Sequence, residues 1–99
     1  MTLTADFDVV ALTNRTRLRE YVHRVLCERD RLDPGQTPMT EAVVTRRGKP
    51  CGLAFEIEGP RLLRTTAIWA GDEARILFYD STGVRFTEVR LSESPTLEE

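Results

Sequence analysis

Leu18, Tyr21, Val22, Val25, Leu26 and Leu32 recur at steps of three and four residues, which places them on one stripe of a helix. The pattern predicts a helix over residues 13–32, started by Thr13 or Asn14 as a side-chain cap and stopped by Asp33-Pro34-Gly35. Phe7, Val10 and Ala11 continue the same stripe. Residues 1–12 are therefore expected either to start the helix early, near Ala5, or to form a short separate turn of helix.

Beyond the Asp33–Thr40 link the period changes to short runs separated by turn residues. The strand candidates are 41–47, 51–58, 62–70, 74–80 and 84–91, broken at Arg47-Gly48-Lys49-Pro50, Gly59-Pro60-Arg61, Gly71-Asp72 and Ser81-Thr82-Gly83. Breaks this short require antiparallel neighbours, so the simplest topology is a meander of five strands. A one-residue slip turns a strand over, so loop lengths are chosen to keep apolar residues together. On that basis Ile57 faces Leu63, Ala67 faces Ile76, Tyr79 faces Arg85 and Phe78 faces Phe86.

One face of this sheet then carries Val44, Cys51, Leu53, Phe55, Ile57, Leu63, Ala67, Trp69, Ile76, Phe78 and Phe86, and the helix stripe is the surface available to cover it. Past Phe86 the alternation fails, because Glu88 falls on the apolar face and Val89 and Leu91 fall off it. A bulge near Thr87, or departure of the last strand from the sheet, removes the conflict. The expected fold is α+β, an N-terminal helix on one face of a five-stranded antiparallel sheet over 41–91, within a single domain of residues 1–99 that ends in an acidic stretch, 92–99.

The other face holds Val43, Ala54, Glu56, Leu62, Arg64, Thr66, Ile68, Arg75, Leu77, Tyr79 and Arg85. Ala54, Thr66, Ile68 and Leu77 make an apolar centre, and Arg64, Arg75, Arg85 and Tyr79 surround it, the composition of a contact surface. Three occupants fit. The first is a protein, most simply a second copy in a homodimer. The second is the chain's own segment Met1–Leu12. The third is a nucleic acid, with the arginines on phosphate and Tyr79 stacked on a base, although Glu56 and Glu58 share the face. The candidate partner surface is Arg64, Thr66, Ile68, Arg75, Leu77, Tyr79 and Arg85.

Bulk properties narrow the picture a little. Ninety-nine residues form one hydrophobic core without staples, and a formal net charge of −2 exerts no overall pull on nucleic acid or anionic lipid. All but one of the fourteen basic residues are Arg, Lys49 being the exception, and six of them lie between Asn14 and Leu32. No apolar run approaches the roughly 20 residues that span a bilayer, and no basic flank with an apolar stretch opens the chain. Cys27 and Cys51 are too few for a disulfide framework. The expectation is a cytoplasmic chain with reduced thiols that inserts in no membrane.

Candidate chemistry is sparse. His23 and Cys27 stand four apart on the helix with Glu20 and Asp30 beside them, a spacing at which two side chains share a metal or a histidine activates a thiol. A structural zinc needs four ligands, however, and His23 is the chain's one histidine. Neither a glycine-rich phosphate fingerprint nor a Cys-x-x-Cys pair occurs. Catalytic residues, cofactor and metal are all expected to be absent.

Three stretches resemble known families. "ALTNRTRLREYVHRVL" (11–26) is similar to the first helices of ArsR-type winged-helix repressors, but a helix-turn-helix must follow and strand-like runs do. "RTRLR" with "DSTG" resembles the signatures of PilZ domains, which bind cyclic di-GMP; the second motif is one residue short. "RILFYDSTGVRF" (75–86) resembles a hairpin of RelE-type ribosome-dependent toxins, whose basic catalytic cluster has no counterpart here. On its own residues that last stretch reads as a hairpin, with Asp80 accepting N–H bonds across the turn, Gly83 left-handed and Arg85 lying over the Tyr79 ring. Function is thus expected to be protein interaction or self-association through the second sheet face, with RNA or DNA binding as the alternative.

Overall fold

The computed structural model describes residues 7–96 and shows an α+β fold: one helix packed on a six-stranded, mostly antiparallel sheet. In chain order the elements are β1 (Phe7–Ala11), α1 (Arg15–Asp30), β2 (Met39–Arg46), β3 (Lys49–Glu58), β4 (Arg64–Ala70), β5 (Arg75–Tyr79) and β6 (Arg85–Glu93). In space the strands run β1-β6-β5-β4-β3-β2, with β1 parallel to β6 and every other pair antiparallel.

The helix begins and ends where its side chains dictate. Asn14 is extended and its Oδ1 accepts from the Arg17 N–H, which stops helical hydrogen bonding from passing upstream. Arg31 takes the left-handed conformation (φ 57°), and the Leu32 N–H reaches back to the Cys27 carbonyl at 2.8 Å. The chain therefore leaves the helix before Asp33-Pro34-Gly35, which forms a separate tight turn with Asp33 accepting from the Gly35 N–H.

Residues 7–11 correct the helical expectation for the N-terminal segment. They form a strand that extends the sheet at the β6 edge, from Phe7 opposite Glu88 to Val10 opposite Leu91. The Asn14 cap leaves no helix for Val10 and Ala11 to join, while β6 offers unpaired backbone groups that β-branched residues fit well. The expectation of five strands becomes six. Residues 1–6 and 97–99, with the outer part of the expected acidic tail, lie outside the described residues; Ser92 and Glu93 complete β6.

The core lies between the helix and one sheet face. Leu18, Val22, Leu26 and Cys27 pack with Leu53, Phe55, Ile57, Ala67, Trp69, Ile76 and Phe78, all buried. Cys27, placed by sequence on the polar side of the helix, is inside this cluster. Polar anchors frame it. The Trp69 indole N–H donates to Ser94 Oγ at 3.0 Å, buried Thr65 donates to the Asp30 carboxylate, and Glu41 on β2 takes the Arg19 guanidinium at 2.6 Å.

Two registers differ from expectation by two residues. Ile57 faces Thr65 rather than Leu63, and Ala67 faces Phe78 rather than Ile76. A two-residue offset preserves the faces, so the core residues are the expected ones, while both turns are longer than expected. Leu62 and Leu63 leave the sheet for an exposed loop in which Arg61 (φ 62°) and Leu62 (φ 60°) are both left-handed. In β2 the faces are exchanged: Val43 pairs with Leu53 on the helix side and Val44 with Gly52 on the other. The cause is a bulge that leaves Cys51 without a partner between Pro50 and Gly52, so this half-buried thiol is not a core residue.

A bulge also resolves the conflict in β6. Tyr79 pairs with Arg85, but Phe78 pairs with Thr87, and the extra residue is Phe86. From there Glu88 faces Leu77 and Val89 faces Ile76 in the core. The Phe86 ring still meets Phe78, with centroids 6.1 Å apart, and the Arg29 guanidinium lies over it at 4.7 Å.

Phe78→Ala, a fully buried ring in this cluster, is expected to cost about 3–5 kcal/mol, measured by urea unfolding. The Arg19–Glu41 contact sets a pH dependence. The guanidinium holds the Glu41 carboxyl below its ordinary value of 4.5. A carboxyl depressed in the folded state stabilises above its unfolded value, and that contribution is lost as pH falls through the folded one. Glu41→Gln is expected to be less stable than wild type at pH 7 and to converge with it as pH falls below 4.5, read from Tm across pH.

Candidate functional site

The sheet face opposite the helix is ordered in rows that run across the strands. The central row is Ala42, Ala54, Ile68, Leu77 and Glu88, contributed in turn by β2 through β6. Above it lie Val44, Gly52, Ala70, Arg75 and Arg90; below it lie Thr40, Glu56, Thr66 and Tyr79. Glu58 and Arg64 form a further pair at the lower end of β3 and β4. All seven residues of the predicted surface, Arg64, Thr66, Ile68, Arg75, Leu77, Tyr79 and Arg85, belong to this face or its margin. Leu62 does not, and Val43 is replaced by Ala42 and Val44. None of the described residues lies across it, and the segment expected to cover it instead adds β1 at the sheet edge.

Its relief follows from side-chain size. On the β2 and β3 side the small Ala42 and Ala54, together with Thr40, Glu56, Thr66 and Ile68, line a trough of about 440 Å³. The neighbouring β4 and β5 side carries the larger side chains Ile68, Leu77 and Tyr79, all half-buried, with Ile68 at the wall of the trough. Gly52 is required by the bulge beside it: a Cβ there would meet the Trp69 carbonyl oxygen at 2.0 Å.

The arginines are held within the molecule. Arg75 contacts Glu73 at 2.6 Å and Glu88 at 3.3 Å, Arg85 reaches Glu88 at 3.9 Å, and Arg90 reaches it at 3.6 Å. Arg64 lies 3.6 Å from Glu56. The hydrogen bonds of Glu88 and Glu73 raise the Arg75 pKa further above its ordinary value. Arg85 thus turns to Glu88 rather than over the Tyr79 ring; cation–π contacts occur at Tyr21 with Arg24 and Phe86 with Arg29. Glu88 is absent from the expected surface because the bulge near Thr87 is one of two ways to remove the conflict and only that one turns Glu88 outward, and Ala42 is absent because the Cys51 bulge is hidden. A glycine inside a strand, Gly52, was the available sign of that bulge.

The other candidates separate. His23 Nε2 bonds the Thr37 carbonyl oxygen at 2.6 Å, as an N–H donor, while burial pushes the Cys27 thiol up, with Asp30 and Asp33 adding to the shift. The helix pair therefore brings together no reactive thiolate and base. Among the described residues no group of three or more His, Cys, Asp or Glu is placed to hold a metal, and no helix is long and apolar enough to cross a membrane. At "YDSTG", Asp80 Oδ1 accepts from the Thr82 N–H, the Thr82 hydroxyl and the Val84 N–H, and Gly83 is left-handed at φ 87°. These bonds lower the Asp80 pKa and hold its Oδ1 within the turn, as a hairpin requires. Compared with protein-family models, curated proteins and solved structures, the chain matches none.

Gly52→Ala is expected to cost about 3 kcal/mol, because the added methyl meets backbone rather than a side chain that can rotate away. Chemical denaturation measures it; a change below half that size would show that the strands part easily here.

Proposed function

We propose that this chain is a non-catalytic interaction module that docks a protein surface on the sheet face opposite its helix. The observation that carries the reading is the central row Ala42, Ala54, Ile68 and Leu77, a continuous, half-exposed apolar strip across four strands, with Arg75, Glu56 and Tyr79 beside it and Glu88 at its β6 end. An apolar centre with an Arg and Tyr margin is the make-up of protein interfaces. The charge balance supports a protein in preference to RNA or DNA. Arg64, Arg75, Arg85 and Arg90 stand among Glu56, Glu73 and Glu88 in the ion pairs described above. A polyanion would have to displace those glutamates and would meet Glu58 as well.

Cys27 and Cys51 are both free thiols, which supports work in the reducing cytoplasm.

A photo-crosslinking amino acid in place of Leu77, with one in place of Val84 as an exposed control in the hairpin turn, off the central row, tests the proposal in the native cells. The expected result is a defined protein adduct at position 77, absent at 84 and lost when Ala54→Arg fills the trough. Identical patterns at both positions would overturn it.

A further inference from the structure

We infer that the occupant of this face is a second copy of the chain, related by a two-fold axis that lies parallel to the strands, between β3 and β4. The inference rests on the docking surface proposed above and specifies its partner.

The relief of the face is self-complementary in one orientation. A two-fold axis in the interface, parallel to the strands, keeps each row over its own row and reverses the order of the strands. With the axis between β3 and β4, β4 lies over β3 of the second copy and β5 lies over its β2. Ile68 then sits over the second copy's Ala54, and Leu77 over the second copy's Ala42. The larger side chains of each copy enter the trough of the other, twice, as an isologous interface demands. Ala70 meets the second copy's Gly52, so small residues come together beside the axis, while Arg75 comes over the second copy's Val44 farther out.

The charges choose the same axis. At the lower end Arg64 comes over the second copy's Glu58, and the symmetric contact repeats it. The alternative two-fold, perpendicular to the strands, keeps each strand over itself and reverses the rows. It would set Ile68 against Ile68 and leave trough over trough. It would also bring the row of Arg75 and Arg90 over the row of Tyr79 and Arg85, opposing arginine to arginine. Repulsion of that kind is what excludes an orientation. Twisted sheets that pack face to face are offset by about 30°, so the matches nearest the axis hold best. Those are Ile68 with Ala54 and Arg64 with Glu58.

The experiment combines solution mass with directed cross-linking, in a Cys51→Ser background so that the half-buried native thiol takes no part. Ile68→Cys protein is mixed with Ala54→Cys protein and mildly oxidised. The expected product is a mixed disulfide dimer that exceeds either self-linked species, from a chain that sediments as a dimer at micromolar concentration. Arg64→Glu and Glu58→Arg are each expected to weaken dimerisation by about tenfold or more, and the double variant is expected to restore it. Circular dichroism on every variant separates loss of association from loss of fold.

Preferential self-linking of Ile68→Cys would overturn the two-fold assigned here while leaving self-association through this face. A wild type that stays monomeric and gives no mixed disulfide would overturn the second copy as occupant. Adducts at position 77 to a different protein would in that case still support the docking face, and their absence would remove both readings together.

Discussion

One helix cannot cover two faces of a sheet, and the rest of this molecule follows from that constraint. Leu18, Val22, Leu26 and Cys27 give the helix a single apolar side, used entirely against Leu53, Phe55, Ala67, Trp69 and Phe78. Everything that excludes water from the core is therefore on one side of the sheet. Among the described residues the opposite face has no covering layer, yet it is not the alternation of charged and small polar groups that water alone would favour. Its central row is apolar across four strands. The helix makes the fold, and by being single it also leaves the surface that the fold presents.

Bulges decide which residues make up that surface. The extra Cys51 turns β2 so that Ala42 and Val44 face outward, and the extra Phe86 turns β6 so that Glu88 does. Without the first, valine would stand where the trough now runs. Without the second, a carboxylate would enter the core beside Phe78, at a desolvation cost of several kcal/mol, and the arginines of β5 and β6 would lose the anion they share. Both bulges keep the core pattern intact while changing the outer face, which is how a sheet re-aims side chains without loss of its packing.

The core was legible in the sequence because burial repeats with the period of the element. Leu18, Val22 and Leu26 mark the helix face, and Phe55, Ala67, Ile76 and Phe78 mark the sheet face at every second residue. The same period explains what was lost. A two-residue offset leaves every face unchanged, so side chains carry no information on it, and only the turns distinguish one register from the other. Here the turns are set by left-handed Arg61, Leu62 and Ala74, residue types that give no sign of that conformation. The expected outer surface matches the structure in β5 and, Leu62 apart, in β4, where alternation is unbroken, and differs from it in β2 and at Glu88, where bulges intervene. β1 was unreadable because five residues fit a helical stripe as well as a strand, and its partner lies far away along the chain.

That distance has a consequence for synthesis. β1 is made before every other described element, and its neighbour β6 after all of them. A ribosome that adds on the order of ten residues each second keeps β1 waiting for several seconds without a strand to join. The hairpins of β2 to β5 form from near neighbours as they emerge, whereas β1 closes the sheet only by pairing the two ends of the fold. A chain interrupted before β6 would hold a free strand at one end and an unguarded β5 at the other, the exposed edges by which quality-control proteases and other nascent chains recognise an unfinished protein.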